Sequence, residues 1–156
     1  MSELRRIAVL LVCFAAGCGS EEEGRHYEKQ GGFSIVPPAG WQVREMPGLK
    51  YRVLAGPPVD DFAPNINVVD ERFDGDLDEY ALKNFANLKL KFAGLEQVGG
   101  NDLQLADGRR AVKMVLRHNQ FGPVLQQTFY FVEGAGKTKY VITCSQRADD
   151  AREWDA

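Results

Sequence analysis

Three cysteines and two histidines are all that 156 residues provide of the side chains most often used for metal and redox chemistry. Cys13 and Cys18 both fall in or just after an N-terminal apolar run, so only Cys144 belongs to the globular part. A disulfide inside that part is therefore impossible, and so is a zinc site of paired cysteines. His26 and His118 lie far apart, neither within the Glu-His spacing of a metalloprotease, and both are expected as isolated surface histidines. No G-x-S-x-G turn surrounds Ser34 or Ser145 to make a serine nucleophile. Gly99-Gly100 and Gly134-Ala135-Gly136 lack the lysine and following helix of a phosphate loop and read as turns. Positive charge is not in excess, with 19 basic against 22 acidic side chains, which argues against nucleic acid as a partner. Long hydrophobic runs are missing too. The longest is the ten residues 7–16, which rise about 15 Å as a helix, roughly half a bilayer's hydrocarbon thickness.

That short run carries meaning of its own. Arg5 and Arg6 precede it and Ala16-Gly17-Cys18 ends it, the arrangement of an export signal. The small residues directly before the cysteine resemble the lipobox of bacterial lipoproteins, although Ala15 stands where that motif usually has leucine. The resemblance implies cleavage between Gly17 and Cys18 and a diacylglyceryl group on the Cys18 sulfur. An ordinary signal cut at an A-x-A-like site would instead leave Cys18 a bare thiol; position and context favour the lipid. Anchoring by two or more acyl chains is firm, since each buried methylene contributes about 0.8 kcal/mol. The expected location is the cell envelope, on a bacterial membrane and facing the periplasm or exterior. Neither Gly19 nor Ser20 is the aspartate of an inner-membrane retention signal, which points to the outer membrane in a cell with two. Loss of residues 1–17 removes two basic side chains and one acidic, leaving 17 against 21 and a balance of −4.

Three units follow: a signal peptide over 1–17, the lipidated cysteine with a flexible tether over 18–31, and one folded domain over 32–156. The tether sequence is polar, and its 13 residues after Cys18 have a mean reach of about 20 Å, lengthened by repulsion among Glu21, Glu22 and Glu23. An apolar fraction of 44% is enough for a real core in a single domain. Strands are expected over residues 33–36, 41–44, 51–54, 66–69, 103–105, 111–117, 124–132 and 139–145. Residues 130–132 and 140–142 are nearly continuous in apolar character, as in central strands covered on both faces. One clear helix spans 77–92, with Ala81, Phe85, Leu88 and Phe92 on one stripe, Asp76 and Glu79 as its N-terminal cap and Gly94 closing it. A second helix is expected near Ala148, packing Trp154 over the sheet.

Asp74, Asp76 and Asp78 have the spacing that opens a calcium loop, but Glu79 occupies the position that needs glycine and Phe85 the position of the bidentate glutamate. These acids are read as charging a helix start. Cys144 sits inside an apolar strand as a small hydrophobe, and Phe129, Tyr130, Phe131 and Tyr140 are read as core.

The order of elements gives an α+β class. The strings Gly32-Phe33-Ser34-Ile35, Gly40-Trp41, Pro64-Asn65-Ile66-Asn67-Val68, Leu77-Asp78-Glu79-Tyr80 and Lys139-Tyr140-Val141-Ile142-Thr143-Cys144 resemble the PsbP-like family, including its DcrB-type bacterial lipoproteins. That resemblance implies an antiparallel sheet of about six strands sandwiched between helices. It implies no activity, because members of the family serve different tasks, and the matching positions are turn and core residues. The expectation is thus a non-enzymatic envelope lipoprotein, without metal or cofactor, that binds or assembles with a protein partner. The alternative is a binder of a small ligand.

Overall fold

Apolar residues alternate along strand β8 (Arg110–His118) so that Val112, Met114 and Leu116 face one way and Ala111, Lys113 and Val115 the other. This alternation, repeated in β9 (Leu125–Glu133) and β10 (Thr138–Arg147), places β10 and β9 in the middle of a sheet and gives it two buried faces. The computed structural model describes residues 12–14, 24–120 and 122–153. Within them, seven antiparallel strands stand in the order β4-β5-β6-β10-β9-β8-β7, with β4 (Gln42–Arg44), β5 (Val53–Ala55), β6 (Asn65–Arg72) and β7 (Glu96–Gln104) completing the set. A smaller sheet has the order β1-β3-β2, from β1 (Val12–Phe14), β2 (His26–Glu28) and β3 (Phe33–Ile35).

Helix α1 (Leu77–Lys91) lies on one face of the large sheet. Asp76 starts it with a full capping box: its carboxylate accepts from the Glu79 backbone N–H at 2.9 Å, and the Glu79 carboxylate accepts from the Asp76 N–H at 3.2 Å. Leu77, Tyr80 and Ala81 bury against Val112, Met114, Leu116, Phe129, Phe131 and Val141, while Phe85 and Leu88 close the edge of that cluster. The opposite face is covered by Phe33 and Ile35 of β3, packed on Ala111, Val132, Tyr140 and Ile142.

The α+β class holds, and the expected helical sandwich does not. One α-helix covers one face, the small sheet covers part of the other, and the large sheet has seven strands where about six were expected. The second helix is a short 3-10 turn, Ala148–Glu153, and Trp154 lies outside the described residues. Order also begins before Gly32: His26–Glu28, read as tether, forms β2 and pairs antiparallel with β3. The segment 12–14, expected to leave with the signal, pairs with the other side of β3.

Tyr140 ties the two sheets together. Its hydroxyl donates to the Gly31 carbonyl at 2.7 Å in the interior, and its ring meets Phe33 edge-on at 6.1 Å between centroids. Tyr140→Phe keeps the ring and strands that carbonyl, so a loss of about 1–2 kcal/mol is expected. Urea unfolding followed by far-ultraviolet circular dichroism measures it, and an unchanged midpoint would show that water replaces the hydroxyl.

Candidate functional site

The end of β8 that the small sheet leaves uncovered forms an open cleft with β7 and β9, about 360 Å³ in volume. Its floor is built by register. Arg117 stands opposite Gln126, Val115 opposite Thr128 and Lys113 opposite Tyr130 on the β9 side; on the β7 side Val115 faces Gly99 and Lys113 faces Asn101. A register shift between Gln97 and Gly99 places Val98 in a bulge, which bends this edge strand locally. Gly99 makes the hollow: a Cβ there would rest 3.6 Å from the Val115 side chain, an ordinary contact, so the space is simply left open. Gly100 serves the backbone instead, since a Cβ there would meet the Lys113 carbonyl oxygen at 2.7 Å. Both glycines were expected in a turn and lie within β7.

Two cations and no carboxylate line the cleft, in a chain whose net charge is −3. Arg117 is held by its Nε, which donates to Gln126 Oε1 at 2.9 Å. Gln126 is 1% exposed, so the guanidinium is aimed by a fixed partner. Glu96 is Arg117's neighbour across the strands, yet no ion pair joins them. None of this was visible in the sequence, because residues 98–101, 113–117 and 126 meet only through strand register.

A second polar row crosses the helix-side face. His118 is 3% exposed, not a surface histidine: Phe92, just past α1, stacks on its ring at 4.7 Å. His118 Nε2 lies 3.1 Å from Gln127 Oε1, and Gln127 Nε2 donates to Ser145 Oγ at 3.0 Å. The amide oxygen can only accept, which places a proton on Nε2. An amide cannot carry that proton on, so His118 does not activate Ser145. The row links His118 Nε2, the Gln127 amide and Ser145 Oγ along a buried edge.

The remaining residues singled out by sequence fall apart spatially. Asp74 pairs with Lys137, Asp76 caps α1, and Asp78 is gripped by Arg110, whose guanidinium holds its carboxyl below the usual range. The three acids serve three different partners, and among the described residues no cluster of His, Cys, Asp or Glu could hold a metal. His26 lies 3.6 Å from Glu28 within β2. Ser34 is buried in β3 and accepts from Arg25 Nη1 at 3.2 Å. Burial pushes the Cys144 thiol up to about 12, with Lys113 opposing, so it is inert at neutral pH. Gly17 and Cys18, the expected processing site, lie outside the described residues. No described helix is long and apolar enough to cross a membrane.

The class of protein is thus an antiparallel α+β domain with an open polar cleft. No known family matches the chain by sequence, and no curated protein does. Solved structures that share the fold include the following two. A Pseudomonas aeruginosa protein of unknown function, PA94, superposes with a TM-score of 0.57 at 12% identity, over 72% of this chain and 87% of its own. LpqN of Mycobacterium tuberculosis, described as involved in cell envelope biogenesis, superposes with a TM-score of 0.55 at 19% identity, over 76% of this chain and 72% of its own. Likeness at these identities is a likeness of fold.

Proposed function

We propose that this chain is a cell-envelope lipoprotein, held by acyl chains on Cys18, whose PsbP-like domain of the DcrB type binds a protein partner and has no catalytic role. The leader and the cysteine that ends it support the placement, and the shared fold with LpqN agrees with it. One observation carries the partner reading. β4 is one edge of the large sheet, all three of its residues are exposed, and Val43, Met46 and Leu49 stand 39%, 50% and 37% exposed within seven residues. An open edge beside exposed apolar side chains is a surface that another chain can cover by strand addition and packing. The cleft supports a second reading, in which the ligand is small.

A photo-crosslinking amino acid at Val43, in the intact lipoprotein in its own membrane, tests the first reading. A discrete protein adduct at this position, absent when the probe sits at exposed Leu90 on α1, is the expected result. Equal labelling at both positions, or none at Val43, would overturn it.

A further inference from the structure

We infer that the cleft between β7, β8 and β9 is a binding site for a phosphate-bearing ligand, either a free phosphorylated molecule or the headgroup of an anionic lipid. This deepens the small-ligand reading and rests on it. The charge argument comes first. Lys113 and Arg117 both line the cleft, four residues apart on one face of β8. Their backbones are therefore separated by about 13 Å, and the long side chains can converge on an anion lying between them over Val115.

Arg117 is the stronger recognition element. Its Nε is fixed to buried Gln126, so its orientation is set before any ligand arrives, and no described hydrogen bond engages its Nη nitrogens. A guanidinium held this way presents a planar pair of donors that match two oxygens of one phosphate. Asn101, opposite Lys113, adds an amide for a hydroxyl or a third oxygen. Gly99 supplies the space, because any side chain there would fill the hollow over Val115. The volume of about 360 Å³ suits a group the size of a phosphorylated sugar or a lipid headgroup. Glu96 sits at the rim opposite Arg117 and opposes the anion.

The test uses the whole processed chain in neutral detergent micelles, with backbone amides followed by two-dimensional NMR. Inorganic pyrophosphate is expected to move the amides of residues 98–101, 113–117 and 126 and to leave those of α1 in place. Arg117→Gln should weaken this binding about tenfold, Gly99→Val should abolish it by filling the hollow, and Glu96→Gln should strengthen it. Micelles doped with phosphatidylglycerol distinguish the source: shifts there identify a lipid headgroup, and shifts with pyrophosphate alone identify a free phosphate. Both outcomes support the site. If glucose moves the cleft amides while neither phosphate probe does, the anion inference falls and the small-ligand reading survives. If no probe moves them, both fall.

Discussion

Phe131→Ala is expected to remove about 3–5 kcal/mol of stability, a large part of the 5–15 kcal/mol typical of a domain. Phe131 is fully buried in β9, the strand next to the central β10 of the large sheet, and is flanked in register by Val112 on β8 and Val141 on β10. Its ring meets Tyr80 of α1 edge-on at 5.9 Å and Phe129 in parallel at 6.3 Å. Truncation therefore opens a cavity where helix and sheet meet, walled by strands already fixed on both sides and unable to close over it. Urea denaturation should show a midpoint lowered by roughly 2 M or more. Leu90→Ala, on the outward side of the same helix and 87% exposed, should change stability by less than about 0.5 kcal/mol. Similar losses for both substitutions would mean that α1 does not pack on this face.

The same contrast between buried and exposed positions explains how much of the fold could be read from sequence. Helix α1 was legible because its signals are local: Asp76 and Glu79 form a reciprocal cap within four residues, and Ala81, Phe85 and Leu88 recur at helical spacing. β8, β9 and β10 were legible because a strand covered on both faces must be apolar almost throughout. β7 was legible only at its end, where residues 103–104 meet the start of β8; the rest of Glu96–Gln104 is an edge strand with mostly exposed side chains and two glycines that mimic a turn. Its order comes from the ladder to β8, not from burial of its own side chains. β2 escaped for a similar reason: His26–Glu28 is polar, and what orders it is pairing with β3, which Tyr140 secures from more than a hundred residues away.

The candidate cleft was the least legible feature. Gly99, Lys113, Arg117 and Gln126 come from three strands and become neighbours only through a particular register, one bulge included. No spacing rule along the chain encodes such a meeting. The burial of His118 has the same character, because the ring that covers it, Phe92, lies at the far end of the helix 26 positions earlier. The expected helical sandwich failed differently. It came from a family resemblance carried by turn and core positions, and those constrain the sheet more tightly than the layer that covers it.

Cys18→Ser should abolish acylation outright if the proposed anchor is right, since serine offers no sulfur for the thioether that carries the diacylglyceryl group. In a cell fed a tagged palmitate, the native chain should carry the label and its mature mass should begin at Cys18. The serine variant should carry none and should retain Met1, because the lipoprotein peptidase acts on the acylated precursor. The energetic consequence is large. A single fourteen-carbon chain gives only marginal, reversible binding, whereas two or more acyl chains, at about 0.8 kcal/mol per methylene, make release negligible. The uncleaved leader is a poor substitute, because its ten apolar residues span about half of the hydrocarbon core. Carbonate extraction should therefore release much of the serine variant and none of the native protein. Label persisting in the variant, or a native N-terminus at any other residue, would refute the anchor while leaving the fold, the β4 edge and the cleft as they stand. Partner capture at Val43 would then have to be sought in solution.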